Sequence, residues 1–229
     1  VILVDNTLKA LQKMAHYLRK HRKVKVVGIT GSVGKTSTRD MVYSVVKQQY
    51  KTLKTEGNYN NNIGLPLTIL RLKDEEVMIL EMGMNHLNEM EELSRIACPD
   101  ISAITNVGTA HIGELGSREN ILKAKLEIVA GMSDGSTLVI NGDNDMLSTV
   151  RFDNFKVVKV GVDCAAVFKA EKVILMDDHS EFTINYNGKV YQVVVPVPGN
   201  HFVLNALVAI AIGINLEIPM EKCIQGISQ

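Results

Sequence analysis

The sequence predicts an α/β protein: a P-loop-containing, mostly parallel sheet with helices on both faces, plus a small antiparallel sheet near the C-terminus. Three observations carry this. A short β-branched run at 24–29 leads into a glycine-rich turn and then a helical pattern. From there to residue 160, apolar runs of strand length alternate with stretches of helical periodicity, as parallel strands joined by crossover helices do. Beyond residue 165 the apolar runs follow one another with no helix between them, and Asn187-Gly188 separates two of them as a hairpin turn would.

A length of 229 residues suits one large domain, or one domain plus pieces. The hydrophobic fraction, 46%, is enough for a sizeable core, and 22% charged residues is ordinary for a globular protein. Acids and bases balance at 25 each, so neither nucleic acid nor a membrane surface is indicated as the main partner. Cys98, Cys164 and Cys223 are scattered without a CxxC pair, which argues against a disulfide framework or a zinc site and fits a reducing cytosol. No apolar run approaches a membrane span and no signal peptide is evident, so a cytoplasmic protein without stable membrane insertion is expected. The chain starts at Val1 inside an apolar run and ends at Gln229 after a helical pattern; both ends are expected to be cuts through a longer protein.

In chain order, residues 1–4 (VILV) read as the last strand of something upstream. Thr7 is the expected N-cap of a helix in which Leu8, Leu11, Met14, Ala15 and Leu18 recur at helical spacing. The basic stretch 19–23 (RKHRK) suits a solvated helix end beside a linker better than an anion site. Then comes 24–39, VKVVGITGSVGKTSTR. Strand, Gly31, Gly34, Lys35-Thr36 and helix is the layout of a phosphate-binding loop. Glycines let backbone amides wrap an anion, and the helix N-terminus adds its positive dipole end. Lys35 is placed to reach the β- and γ-phosphates of a polyphosphate and Thr36 to hold Mg2+. One departure stands out: the usual first glycine, five residues before the last, is Ile29 here, and Gly28 stands one place earlier.

A helix at 38–49 presents Met41, Val42, Val45 and Val46 on one side, and a short strand follows at 50–54. The stretch 56–66 (EGNYNNNIGLP) is too rich in Asn and Gly for a core element. It is either an ordered loop whose amides bind a polar ligand or a cluster of surface turns. A short helix at 67–72 leads to the strand Val77–Glu81, which ends in an acid where parallel sheets carry metal ligands. A helix at 88–97 stops before Pro99, and a strand at 101–105 feeds a polar loop that ends in His111. That histidine lies on the ligand edge, and its role is open between function and structure. Ser117 with Asn120 looks like a capping box opening a helix at 117–129. Strands at 136–141 and 157–160 flank a turn at 142–145. The antiparallel runs are 165–176, 181–186 and Lys189–Val195; a loop at 196–201 precedes helices at 203–214 and 219–227.

Seven segments now stand together: GITGSVGKTS (28–37), EGNYNNNIGLPLTIL (56–70), ILEMGMNH (79–86), ITNVGTAHIGELGS (104–117), ENILKAKLEI (119–128), INGDND (140–145) and GNHFVLNAL (199–207). In this order and spacing the chain resembles the Mur ligase family over nearly all its length, and the shifted Gly28 is how that family writes its loop. The Asn-rich segment and EMGMNH are similar to the family member that adds D-Ala-D-Ala to UDP-N-acetylmuramoyl-tripeptide in peptidoglycan precursor synthesis. The resemblance implies an ADP-forming amide ligase that uses ATP and Mg2+ and passes through an acyl phosphate. It implies that 1–23 is the end of an N-terminal UDP-sugar-binding domain with a linker helix, that 24–229 is the central ATP-binding domain, and that a C-terminal domain is absent. The muramoyl-tripeptide and D-Ala-D-Ala would then be held mostly by the missing parts, the fragment alone would be inactive, and the protein would be a monomer.

By the same resemblance Lys35, His111 and Lys125 are catalytic. Gly31, Ser32, Val33, Gly34, Lys35, Thr36 and Ser37 bind the ATP phosphates, and Asn205 matches an adenine-contacting Asn. Thr36 and Glu81 hold a first Mg2+ and His111 a second; in several relatives a lysine at the position of Lys125 is carbamylated and helps hold that metal. Asn60, Asn61 and Asp143 belong to the substrate or phosphate loops, with Asp143 either near the ribose or merely an acid in a turn. His201-Phe202 stands where the family usually has His-Asn, so the nucleotide contact of that Asn is not carried over to this chain. Three other readings are weighed. A folylpolyglutamate or cyanophycin synthetase type of ligase is opposed by EGNYNNNIGLP. A P-loop switch or kinase leaves the Asn-rich and His111 loops unexplained. A non-catalytic remnant that only binds nucleotide is the third.

Overall fold

The structure, a computed structural model, describes residues 3–229. Val1 and Ile2 of the expected upstream strand lie outside the described residues, and Leu3 and Val4 are in no strand. The strands are β1 (Lys25–Thr30), β2 (Thr52–Lys54), β3 (Val77–Glu81), β4 (Ile101–Ile104), β5 (Thr137–Asn141), β6 (Lys156–Gly161), β7 (Phe168–Leu175), β8 (Ser180–Tyr186) and β9 (Lys189–Val195). They form one sheet in the order β2-β3-β1-β4-β5-β6-β7-β8-β9. The first six pair in parallel, and β7-β8-β9 is antiparallel. The antiparallel part joins the rest through a short parallel pairing of β6 with β7, Val160 opposite Phe168 and Gly161 opposite Lys169. The β8–β9 turn is Asn187 and Gly188, both at positive φ (52° and 79°). Such a pair of dihedrals matches the twist of two adjoining strands, so the Asn-Gly signal is realised as a tight hairpin.

The helices are α1 (Thr7–His21), α2 (Lys35–Val46), α3 (Gly64–Ile69), α4 (Glu89–Ala97), α5 (Ile112–Leu115), α6 (Arg118–Leu126), α7 (Asn200–Asn215) and α8 (Met220–Ile227). Successive strand residues point to opposite faces, so the sheet separates two apolar cores. Val27, Ile29, Ile79, Ala103 and Val139 face α2, α7 and α8. Val26, Met78, Leu80, Ile104, Leu138 and Ile140 face the side of α1, α3, α4 and α6. β1 lies between β3 and β4, and the chain leaves it toward one side and later returns on the other. That reversal opens a crevice at the carboxyl ends of the strands, where open α/β sheets bind ligands.

Several local expectations shift. The first helix is capped by Asn6, whose side chain accepts from the Lys9 amide at 2.9 Å, and Thr7 is its first residue. Asn6 takes the extended backbone that a cap needs (φ −146°, ψ 115°). The basic end of α1 is only partly solvated: Arg19 donates to the carbonyls of Ala97 and Cys98 and pairs with Asp100 at 2.9 Å, stitching α1 to the end of α4. The phosphate-loop helix starts at Lys35 rather than 38, and the short helix after the Asn-rich loop at Gly64 rather than 67. The expected helix at 117–129 ends at Leu126 and tightens into a 3-10 turn, Glu127–Gly131. Ser117 accepts the Asn120 amide, but the side chain of Asn120 donates to the Leu115 carbonyl, so the reciprocal half of the capping box is not made.

Helix α8 crosses α2 at Gly226, where an added Cβ would meet Ser44 O at 2.5 Å and Val45 Cα at 2.6 Å. Backbone cannot yield as a flexible side chain can. Gly226→Ala is therefore expected to lower unfolding free energy by about 1–3 kcal/mol in urea titration. Gly113→Ala, whose Cβ would meet nothing within 4 Å, is expected to stay within about 0.5 kcal/mol. Equal effects would show that α8 is not seated on α2 in this way.

Candidate functional site

The loop 31–34 leaves β1 and turns into α2. Gly31 is enforced by packing, since a Cβ there would collide with the Thr105 hydroxyl. Gly34 is enforced by conformation, at φ 80°. The loop is bolted to the segment after β4. Asn106 Oδ1 accepts from the amides of Ser32 (2.9 Å) and Val33 (3.0 Å), Thr105 donates to the Val33 carbonyl (2.8 Å), and Ser32 Oγ accepts from the Gly108 amide (3.0 Å). Helix α2 begins with no side-chain cap, so its first amides face the loop's concavity without an internal partner. This geometry and the helix dipole suit an anion. Gly28 belongs to β1, not to the loop, paired with Leu80 and Ser102. A Cβ on it would crowd the Met82 methyl at 3.1 Å, so the shifted glycine serves packing behind the loop.

Lys35 bends back, its Nζ donating to the Gly31 carbonyl at 3.0 Å. Burial pushes its ammonium below the ordinary lysine value, and the nearby Glu81 charge opposes that shift. Glu81 ends β3 at only 2% exposure. Its Oε2 accepts from Thr36 Oγ1 at 3.0 Å and from Arg39 Nη1 at 3.2 Å, its Oε1 accepts from Asn60 Nδ2 at 2.8 Å, and its amide donates to Thr55 Oγ1 at 3.0 Å. A hydroxyl and a carboxylate oxygen 3.0 Å apart match two adjacent corners of an octahedron with metal–oxygen bonds of about 2.0–2.1 Å. Thr36 and Glu81 therefore fit Mg2+. Among the described residues no three His, Cys, Asp or Glu side chains converge as a metal cage. That suits an ion which takes one or two protein oxygens and completes its shell with phosphates and water.

Lys35, Asn60, Asn61, Gly83, Asn85 and His111 line one cavity of about 330 Å³ at this edge. His111 sits at φ 66°, turning the chain into α5. Its loop is held by Arg118 and Asn144, which both donate to the Val107 carbonyl (2.9 and 3.2 Å), while Arg118 also pairs with Asp145. An imidazole is a softer donor than Mg2+ prefers, so Thr36 with Glu81 is the stronger metal pair. Lys125, on α6, is 1% exposed. Burial, helped by the charge of Lys35, lowers its pKa to about 7, so a large fraction is a neutral amine at neutral pH.

The other expected site residues divide. Asn60 reaches Glu81 as described, while Asn61 Oδ1 accepts from the Gly64 amide at 2.9 Å and shapes the start of α3. Asn205 is buried on α7, accepting from the Thr38 hydroxyl (2.9 Å) and donating to Ser37 Oγ (3.2 Å). With Val33, Gly34, Asn106, His201 and Phe202 it lines a second cavity of about 290 Å³ on the other flank of the loop. Asp143 takes three backbone amides, of Val162 (2.6 Å), Asp163 (3.1 Å) and Cys164 (2.8 Å), and so anchors the turn after β6. Sequence reasoning missed Arg39, Thr55, Asn106 and Arg118. Only Arg39 left a usable signal: it follows Thr36 by one helical turn and so shares its face.

The class these features define is that of P-loop α/β domains. Residues 29–213 match the family model described as the Mur ligase middle domain. The chain belongs to the Mur ligase family. It is 41% identical over its whole length to the UDP-N-acetylmuramoyl-tripeptide–D-alanyl-D-alanine ligase of Bacillus subtilis (strain 168), covering 49% of that protein. Among solved structures, MurF from Acinetobacter baumannii superposes with a TM-score of 0.94 at 31% identity, over 100% of this chain and 51% of that one. MurF ligase from Thermotoga maritima, in complex with ADP, superposes with a TM-score of 0.91 at 26% identity, over 100% and 53%. The chain thus spans about half the length of the relatives it matches. No helix among the described residues is long and apolar enough to cross a membrane.

Lys125 makes stability depend on pH. The unfolded chain binds the lysine proton at its ordinary value of 10.5, the folded chain only as pH falls to about 7. Unfolding therefore takes up a proton across this window, and lowering the pH through it costs up to about 1.4 kcal/mol per unit. Lys125→Met should remove that slope: its stability relative to the parent chain is expected to be greatest below pH 7 and to shrink toward pH 10.5. Denaturant titrations across the range check this, and a difference that does not change with pH would contradict it.

Proposed function

We propose that this chain is the nucleotide-binding part of an ATP-dependent, ADP-forming amide ligase that joins D-Ala-D-Ala to UDP-N-acetylmuramoyl-tripeptide. The observation that carries this reading is the convergence at one strand edge of an anion-binding loop, the Thr36–Glu81 pair and a cavity lined by Lys35, Asn60 and His111. The identity with the Bacillus subtilis ligase and the ADP named with the Thermotoga maritima relative support it.

In the proposed reaction a carboxylate oxygen of the tripeptide attacks the γ-phosphorus of ATP, the bond to the bridging oxygen breaks, and ADP leaves. The amine of D-Ala-D-Ala then attacks the acyl carbon, inorganic phosphate departs, and the amine loses a proton. The α2 amides and Lys35 orient the phosphates and offset charge that builds on them. Thr36 and Glu81 would hold Mg2+, which neutralises phosphate charge when bound. His111 faces the same cavity, where a second cation or a phosphate oxygen would lie. The neutral amine of Lys125 has the protonation state that carbamylation requires. The cavity beside Phe202 would take the adenine, with Asn205 on its wall. The use of ATP and a UDP-linked substrate supports a cytoplasmic site of action for this reading, which takes the protein as a monomer.

Phosphate release by the full-length protein is expected only when both muramoyl-tripeptide and D-Ala-D-Ala are present; release without such dependence would overturn the reading. Lys35→Ala should lower that turnover by about 10³-fold or more while circular dichroism and melting stay near those of the parent. Near-normal turnover would show that the loop is not the phosphate site. The 229-residue chain by itself should bind ATP weakly and form no pentapeptide.

A further inference from the structure

We propose that Arg39 is a positioning residue for the divalent-cation site: it aims the Glu81 carboxylate and couples it to the Asn-rich loop. This rests on the reading that nucleotide and Mg2+ bind at the loop. Arg39 is only 5% exposed. Its Nη1 donates both to Glu81 Oε2 (3.2 Å) and to the Gly57 carbonyl (2.9 Å), at the start of the Asn-rich stretch. Its Nε and Nη2 form a fork on Asp40, at 3.0 Å each. Asp40 in turn pairs with Lys54 of β2 at 2.6 Å.

The chemistry follows from charge order. From β2 inward the groups run Lys54, Asp40, Arg39, Glu81, alternating in sign, and a divalent cation at Thr36–Glu81 would continue the series. A lone guanidinium beside the site would repel such a cation. The Asp40 fork offsets that charge and fixes the plane of the guanidinium. What remains is a directional donor on Oε2, the same oxygen that meets the Thr36 hydroxyl. Asn60 holds Oε1 from the other side, and Asn60 belongs to the loop that Arg39 grips through Gly57. Arg39 thereby ties the rotamer of Glu81 to the position of a loop lining the cavity. An outer partner that fixes a ligand in this way typically changes metal affinity by 10–100-fold when removed.

The test titrates Mg2+ into the chain at a fixed concentration of a fluorescent ATP analogue, and separately measures analogue affinity in EDTA. For Arg39→Met, half-saturating Mg2+ is expected to rise about tenfold. Affinity in EDTA should change less than about twofold, because the α2 amides and Lys35 are untouched. Arg39→Lys, which keeps charge but not the fork, should recover part of the loss. Asp40→Asn, altering a half-exposed residue, should raise half-saturating Mg2+ by about threefold. Unchanged Mg2+ dependence in Arg39→Met and Asp40→Asn would overturn the proposal, as would equal losses with Mg2+ and in EDTA. If Arg39→Met does not fold, Arg39→Lys and Asp40→Asn decide the matter on the same readout. A parent chain whose analogue binding ignores Mg2+ would instead overturn the nucleotide–metal reading, and this proposal with it.

Discussion

A buried carboxylate has to be compensated, and the polar edge of this domain is arranged around one. Glu81 lies at the end of β3 with its oxygens on Thr36, Arg39 and Asn60 and its amide on Thr55. Removing a charged group from water costs several kcal/mol unless partners replace the lost hydration. These four partners come from three pieces of chain: α2, the Asn-rich loop and the segment after β2. The acid pins together the elements that would meet a nucleotide, and the phosphate loop inherits its position from that junction.

The scaffold beneath this junction is apolar and redundant. Two cores flank the sheet, and β1 and β3 are buried along nearly their whole length. Polar side chains appear where the parallel strands end and the cores stop. There the backbone amides of the loop, Asn106 and Thr105 satisfy one another across the gap between β1 and β4. Such networks define geometry well only when every member has a partner. Lys125 on α6 is a different case: burial and the charge of Lys35 lower its pKa to about 7, so keeping its proton there costs stability.

Much of this was legible in the sequence because periodicity and glycine placement are local signals. The strand and glycine-rich loop at 24–34, the acid closing Val77–Glu81 and the Asn187-Gly188 hairpin all stand where the pattern placed them. The misses have a common cause. Thr7 lost the cap to Asn6, the helix at 117–129 tightened after Leu126, and Arg19 found carbonyls across the fold; each depends on a neighbour that spacing does not reveal. Asp143 was open between a place near the ribose, which the resemblance implies, and an acid that merely shapes a turn. Its three amide partners come from a loop some 20 residues away in sequence.

The sequence by itself determined the class of fold, the glycine-rich loop between β1 and α2 and the family, since these rest on residue types at fixed short separations. Tertiary structure alone decided which side chains meet. It put Glu81 against Thr36 and Arg39, 45 and 42 residues apart in the chain, and turned the amide of Asn205 onto α2. It also continued the parallel sheet into the antiparallel hairpins through a pairing two residues long. The physical reason is that compensation of a buried charge is a matter of distance in space, and a strand order of β2-β3-β1-β4 brings together what the chain keeps apart.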